Sequence, residues 1–327
     1  MCVNPGDQDL VHDRQLHCAF KLVDRLQTAG TASGNFDSGG THLKQASLTC
    51  CILVTISMGS GNLKAQNHQA FWPNDAKSTI VTAAANTPDQ SYGIRRAITE
   101  ADRASIQHYR SGLLKPEYSS TFKDAGEIQR DWSAYTDDNP ALRSCRRPTN
   151  AAASDAGLVL KTQIATDCHA RWSTGQIVSK ARYNYGFFEA SMKIADIPGV
   201  DNAFWLTTDH HFEIDVSEVF YPNRFYPAVQ QWPVDKVNKH TTVASEVKVQ
   251  EDLSKNFHNY AMLWTPGDMI FAIDGEPVAA LRTSDSVSGP AQIRLSTALG
   301  DFAGKLPEHP QGHDAVIRAL RVFAIDQ

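Results

Sequence analysis

The chain has 327 residues, of which 36 are acidic and 31 are basic, so its formal net charge is −5. Phosphate recognition normally shows as a clustered basic surface, and this mild acidity therefore argues against a protein that binds nucleic acid or anionic membranes. The hydrophobic fraction of 42% excludes a chain that is disordered overall. The length allows one large domain or two smaller ones.

The first predicted segment is a leader that covers residues 1–65. Residues 47–57 form an uncharged apolar stretch with the length of a signal-peptide core, which is shorter than the roughly 18 residues that a membrane span needs. A buried strand is the alternative for this stretch. Because the stretch begins far from residue 1, we expect translation to start near Leu43. We accordingly expect a secreted protein, either extracellular or periplasmic, with no membrane span.

The cysteine count agrees with export. Of the six cysteines, four lie in the predicted leader, and Cys145 and Cys168 remain. A single pair in an oxidising compartment predicts one disulfide, and two separate buried thiols are the alternative. Since the chain has no Cys-x-x-Cys pair, neither a zinc ribbon nor a thioredoxin-type site is predicted.

Residues 66–117 are polar and rich in alanine, and we interpret them as a linker or accessory segment with one helix around residues 94–108. From Tyr118 onward, short runs of β-branched and aromatic residues alternate with Gly, Pro, Asn and Asp. Asp274-Gly275 is a strong hairpin signal within this region. Many short strands without β-α-β spacing predict an antiparallel β-sandwich over residues 118–327.

Three acidic residues stand out in one predicted strand, at Glu213, Asp215 and Glu218. Simple alternation places the first two on one face and turns Glu218 into the core, where an unpaired carboxylate is costly. A β-bulge at Val216-Ser217 restores the phase, so we predict a bulge there and three acids on one surface.

Carboxylates on one surface repel each other, so their proton affinities separate and at least one acid holds a proton near neutral pH. This combination suits the cleavage of glycosidic bonds. A retaining glycosidase needs an ionised carboxylate as nucleophile and a protonated carboxyl as acid.

Several segments resemble glycoside hydrolase family 16, in the order in which that family has them. The segment from Glu213 to Glu218 is similar to the bulged E-x-D-x-x-E signature of laminarinase-like and agarase-like members. The other matching segments are Cys145-Arg-Arg-Pro-Thr-Asn150, Ser173-Thr-Gly-Gln-Ile-Val-Ser179, Tyr185-Gly-Phe-Phe-Glu-Ala-Ser-Met-Lys193, Ala203-Phe-Trp-Leu206, Phe257-His-Asn-Tyr260, Trp264-Thr-Pro266 and Phe271-Ala-Ile-Asp-Gly275. The resemblance covers residues 118–327.

The resemblance implies a jelly-roll sandwich whose concave sheet binds a polysaccharide and cleaves it in an endo mode. It makes Glu213 the nucleophile, Glu218 the general acid/base and Asp215 the residue that orients and tunes Glu213. We predict Trp205, Trp232 and Asn202 as the substrate-binding residues. Trp132, Trp172 and Trp264 are assigned to the core.

The resemblance implies an enzyme that requires no cofactor. A structural calcium ion is compatible with the family, but the sequence shows no ligand cluster for it. We expect a monomer. Many glucan-cleaving members carry Trp-Pro where this chain has Val200-Asp201-Asn202, and this difference favours a galactan substrate over a β-1,3-glucan.

Three alternatives remain open at this stage. The first is a lectin-like jelly roll that binds carbohydrate without turnover. The second is a metal site formed by His211 together with Glu213, Asp215 and Glu218, since imidazole and carboxylate are common metal ligands. The third is a transglycosylase, in which a sugar instead of water resolves the covalent intermediate.

Overall fold

The computed structural model describes residues 76–235 and 239–325. The leader predicted for residues 1–65, with its signal peptide, lies outside the described residues.

An eight-stranded antiparallel sheet forms one layer of the molecule, with the strand order β1-β15-β14-β13-β12-β19-β10-β4. Its strands, numbered in chain order, are β1 (Ile80–Ala85), β4 (Trp132–Ala134), β10 (Gln176–Ser179), β12 (Val200–Thr208), β13 (Phe212–Phe220), β14 (Arg224–Gln231), β15 (Thr241–Val249) and β19 (Ala291–Leu299). Because β13 lies between β12 and β14, both edges of its backbone are paired.

A nine-stranded antiparallel sheet forms the second layer, with the order β2-β18-β17-β16-β11-β20-β7-β6 and with β3 paired to β20. Its strands are β2 (Ile94–Arg95), β3 (Tyr118–Ser120), β6 (Ala151–Ser154), β7 (Gly157–Leu160), β11 (Gly186–Lys193), β16 (His258–Trp264), β17 (Asp268–Ile273), β18 (Glu276–Arg282) and β20 (Ala315–Phe323). A third, small sheet contains β5 (Ser144–Arg146), β8 (Gln163–Ile164) and β9 (Trp172–Thr174).

The main hydrophobic core lies between the two large sheets and confirms the predicted β-sandwich. Phe225 on β14 and Tyr260 on β16 meet across the layers with ring centroids 5.6 Å apart. The tryptophans assigned to the core are buried, with 3% of Trp132, 6% of Trp172 and none of Trp264 exposed.

The segment before Tyr118 is part of this folded unit, which corrects the predicted boundary at that residue. Strand β1 extends the eight-stranded sheet, and β2 extends the nine-stranded sheet. Helix α1 (Glu100–Arg110) packs on the outer face of the nine-stranded sheet, where Tyr109 stacks on Phe187 with ring centroids 5.0 Å apart. A second helix, α2, spans Ala125–Asp131. The accessory residues thus cover apolar surface that the sandwich would otherwise expose.

Helix α1 begins later than the predicted residue 94 because of its cap. Thr99 accepts a hydrogen bond from the backbone of Asp102, whose side chain accepts one from the backbone of Thr99 in return. This reciprocal capping satisfies two amide groups that a helix start leaves unpaired, and it fixes the first turn at Glu100.

Cys145 and Cys168 form a disulfide that closes a loop with a sequence separation of 23 residues. The bond ties β5 to the loop before β9. Among the residues that the structure describes, no helix is long and apolar enough to cross a membrane.

Candidate active site

Strand β13 carries the bulge that the acid spacing predicts. Asp215 pairs with Trp205 of β12 and Ser217 pairs with the next residue, Phe204, so Val216 is the extra residue. The partner strand β14 shows the same shift between Asp215 and Glu218. The side chains of Ile214, Val216 and Val219 lie in the core. The acids therefore lie on the opposite face of the sheet, which we call the outer face.

The side chains of Glu213 and Asp215 are joined by one amide. Gln230 of β14 lies opposite Glu213, and its Nε2 donates to Oε1 of Glu213 and to Oδ2 of Asp215, at 2.7 Å in each case. Trp232 donates its Nε1 hydrogen to the other oxygen of Glu213 at 3.2 Å. Both oxygens of Glu213 are thus hydrogen-bonded, which holds this carboxyl group in one orientation.

Trp205 lies beside these acids, paired with Asp215 across the strands. It is half-buried, and its Nε1 donates to Ser296 at 3.0 Å. The guanidinium of Arg294 lies 5.0 Å from the centroid of the Trp205 ring, at a distance typical of a cation-π contact. One face of Trp205 therefore contacts a cation, and its N–H already has a protein acceptor.

Trp232 and Asn202 have different surroundings from those that the sequence predicts. Trp232 stacks on His240 with ring centroids 4.0 Å apart, in addition to its hydrogen bond to Glu213. Asn202 is fully buried, and its side chain bonds to the backbone of Ala195 and Val219. Its position along β12 has the same parity as Phe204, so it points to the core. This corrects the expected contact between Asn202 and substrate.

A fourth acid, Asp201, lies on the outer face and was missed in the sequence. It occupies the same side of β12 as Ala203, the partner of Glu218, and only 6% of it is exposed. The sequence contained a signal for this position. Side chains two residues apart on a strand point to the same face, so Asp201 shares the face of Ala203. Gln230 could have been found only from the pairing of β14 with β13.

Burial raises the pKa of Glu213 to about 7. The hydrogen bond from Trp232 and the positive charges of Arg294 and Arg146 act in the opposite direction. Burial also raises the pKa of Asp201 to about 7, and the charge of Arg146 opposes this increase. Glu213 therefore combines a buried position with donors and cations that favour its ionised form.

The pKa of Glu218 is raised well above its ordinary value by burial and then by the charges of Asp215, Asp201 and Glu213. The pKa of Asp215 is raised in the same way by burial and by the charge of Glu213. All of the causes that act on the pKa of Glu218 raise it, and no hydrogen-bond donor is among them to oppose this increase. This environment favours one ionised acid, Glu213, beside a protonated Glu218, a pair that can supply a nucleophile and a proton donor.

The arrangement gives little support to the metal alternative. His211 lies in the turn before β13 with a φ of 64°, outside the strand that carries the acids. The cluster of potential metal ligands found in the described part of the chain joins Asp138 to Cys145 and Cys168. Both sulfurs of that cluster are in the disulfide, so they offer no thiolate ligand.

A sequence profile of Glycosyl hydrolases family 16 matches residues 143–317, which is more than half of the chain. The chain belongs to glycosyl hydrolase family 16. The matched range includes the acids of β13, Trp205, Gln230 and Arg294, and it ends within β20.

Several curated relatives are similar to this family 16 chain. The endo-1,3-1,4-beta-glycanase EglC of Rhizobium meliloti is 26% identical over 202 residues, which are 58% of this chain and 41% of the relative. A beta-glucanase of Paenibacillus polymyxa is 26% identical over 140 residues, 42% of this chain and 57% of the relative. A putative xyloglucan endotransglucosylase/hydrolase of Arabidopsis thaliana is 31% identical over 133 residues, 38% of this chain and 44% of the relative. The chain thus spans less than two thirds of these relatives.

Solved structures share the fold. The catalytic domain of the laminarinase from Thermotoga maritima superposes with a TM-score of 0.56 at 18% identity, covering 65% of this chain and 99% of that chain. A family 16 endo-glucanase from Bacteroides ovatus gives a TM-score of 0.54 at 17% identity, covering 63% and 99%. These similarities establish the jelly-roll sandwich for this chain.

Proposed function

We propose that this protein is an endo-acting β-glucanase that retains the anomeric configuration and belongs to the bulged E-x-D-x-x-E group of family 16. The observation that carries the proposal is the bulge at Val216 and Ser217 in β13. It returns Glu218 to the outer face that Glu213 and Asp215 share. A retaining glycosidase needs such a pair of carboxyl groups, one ionised and one protonated.

In the first step, the ionised carboxylate of Glu213 attacks the anomeric carbon of the sugar and forms a glycosyl ester. The bond between that carbon and the glycosidic oxygen breaks, and Glu218 gives its proton to this oxygen. Burial and then the charge of Glu213 raise the pKa of Asp215, which favours its protonated form while Glu213 is ionised. The two donors on Glu213 hold the attacking carboxylate in position.

In the second step, Glu218 is ionised and takes a proton from a water molecule. The water oxygen bonds to the anomeric carbon as the ester bond to Glu213 breaks, which restores both acids to their initial states. Glu218 therefore acts first as an acid and then as a base, and a raised pKa suits both roles near neutral pH.

The names of the relatives favour a β-glucan over the galactan that the missing Trp-Pro pair suggests. EglC is named an endo-1,3-1,4-beta-glycanase, and the Paenibacillus relative is named a beta-glucanase. We propose Trp205 as a contact for the sugar, because it is half-buried beside Asp215. Trp232 acts instead on Glu213, to which its N–H is bonded.

Transglycosylation is a second candidate, favoured by the 31% identity to the xyloglucan endotransglucosylase/hydrolase relative. The two reactions share the glycosyl ester and differ in the molecule that attacks it. Products longer than the starting oligosaccharide would identify transglycosylation.

The test is to incubate the purified full chain with lichenan, laminarin, agarose and carrageenan. We expect mixed-length oligosaccharides from lichenan or laminarin, and NMR should show the β-anomer as the first product. Glu213→Gln should abolish this activity. Asp155→Asn, at an exposed turn of the other sheet, should leave it intact. Cleavage of the galactans alone would refute the substrate, and an α-anomer formed first would refute retention.

We also propose that the protein is secreted and that residues 1–65 contain its leader. The apolar stretch at residues 47–57 supports this proposal, and the disulfide fits an oxidising compartment. N-terminal sequencing of protein recovered from the medium or periplasm tests it, because recovery of an N-terminus before residue 47 would contradict removal of the leader.

A further inference from the structure

The side-chain amide of Gln230 can donate hydrogen bonds to Glu213 and Asp215 in only one of its two orientations. Its Nε2 uses both hydrogens, one for Glu213 and one for Asp215, at 2.7 Å each. The two ends of an amide have nearly the same shape, so a half turn of the group fits the same space. That turn would place a carbonyl oxygen against two carboxyl groups and remove a donor from Glu213.

His240 contacts the opposite end of this amide. The Nε2 atom of His240 lies 2.8 Å from Oε1 of Gln230, which can only accept a hydrogen bond. The imidazole must therefore carry its hydrogen on Nε2. Thr242 offers a longer contact to the same oxygen, at 3.4 Å. His240 is thus the closer of two groups that favour the productive orientation of the amide.

The position of His240 is itself coupled to Glu213. Its ring stacks on Trp232 with an interplanar angle of 19°, and Trp232 donates to Glu213 at 3.2 Å. The four side chains form a closed circuit that runs from Glu213 through Gln230 and His240 to Trp232 and back. Displacement of the imidazole would disturb both hydrogen bonds on Glu213.

We infer that His240 is a positioning residue, which acts on the nucleophile Glu213 by fixing the orientation of the Gln230 amide. The inference rests on the proposed function, since it assigns Glu213 the attacking role. His240 needs no contact with substrate in this role. Its effect is therefore on the rate of the chemical step and not on substrate affinity.

A double-mutant cycle separates this role from direct binding or simple packing. His240→Phe keeps a ring on Trp232 and removes the N–H donor, and Gln230→Leu removes the amide. We expect His240→Phe to lower kcat by about tenfold, as for one lost hydrogen bond, with KM nearly unchanged. In the Gln230→Leu background the same change should alter kcat by less than about twofold. Equal losses in both backgrounds, or a rise in KM alone, would refute the inference.

Two further variants complete the experiment. His240→Gln retains an N–H donor and should recover part of the lost rate. His309→Phe makes the matched substitution at an exposed histidine and should leave kcat unchanged.

A readout without catalysis distinguishes failure of this inference from failure of the proposed function. The Nε2 hydrogens of Gln230 in ¹⁵N-labelled protein should exchange slowly with water, and His240→Phe should make them exchange faster. If His240→Phe makes these hydrogens exchange faster but the wild type cleaves no glycan, the proposed function fails while the positioning role stands. If the wild type cleaves glucans and His240→Phe alters neither exchange nor kcat, the positioning role is refuted.

Discussion

Replacement of Glu213 by glutamine should abolish turnover and at the same time stabilise the fold at neutral and higher pH. The substitution preserves the shape of the side chain and removes its charge. Burial raises the pKa of Glu213 from 4.5 to about 7. The folded state therefore binds more protons than the unfolded state between these values, and stability is lost as the pH rises through this window.

The size of the effect follows from two opposing contributions. A shift from 4.5 to about 7 corresponds to about 3 kcal/mol of stability that the wild type lacks at about pH 8 and retains at about pH 4. Gln230 and Trp232 donate to different oxygens of Glu213, and glutamine replaces one of these oxygens with an NH2 group, so one of the two donors loses its acceptor. The lost hydrogen bond costs about 1 kcal/mol at either pH. We expect Glu213→Gln to be about 1 kcal/mol less stable than the wild type at about pH 4 and about 2 kcal/mol more stable at about pH 8.

Urea unfolding at the two pH values measures the difference, with Asp155→Asn as a control. The control residue is exposed, so its replacement should change stability little at either pH. A Glu213→Gln variant whose stability relative to the wild type is the same at both pH values would show that this carboxyl group is not destabilised by burial. That result would remove the physical basis for its assignment.

Three further predictions concern residues inside and outside the site. Glu218→Gln should lower the rate on polysaccharide by about 10²–10⁴-fold, with a smaller loss on aryl glycosides whose leaving group needs no proton, as steady-state kinetics would show. Arg321→Met leaves the fully buried Glu189 with fewer partners and should lower the unfolding free energy by about 3 kcal/mol in urea titrations. The double change Cys145→Ser and Cys168→Ser opens the loop of 23 residues and should lower the unfolding free energy by about 3 kcal/mol in urea titrations. A reductant should destabilise the wild type by the same amount.

The bulge was predictable from the sequence because two physical requirements conflict in one short segment. Alternation alone puts Glu218 in the core, while burial of an unpaired carboxylate is costly. Only an extra residue between Asp215 and Glu218 resolves the conflict. The hairpin at Asp274-Gly275 was predictable for a similar reason, since both residues have positive φ in the turn between β17 and β18.

Other parts of the site depend on pairings that local patterns do not determine. Gln230 reaches Glu213 because β14 pairs with β13 in one particular register. His240 reaches Gln230 although it lies outside any strand, in the segment before β15. Asn202 was predicted to bind substrate although its parity along β12 matches that of Phe204. Here the strand pattern was the better guide, because it determines which face a side chain occupies.

The location of the acids in the middle of a sheet explains how the fold can hold them together. Repulsion between their charges favours separation of Glu213, Asp215 and Glu218, and a loop would yield to this force. Strand β13 cannot move in this way, since hydrogen bonds to β12 and β14 fix both of its edges and Ile214 anchors it in the core. Rigid elements hold a site more precisely than loops do. The same rigidity keeps Asp215 and Glu218 buried and close to other charges, and burial and then these charges raise the pKa values of both acids, as the proposed acid/base chemistry requires.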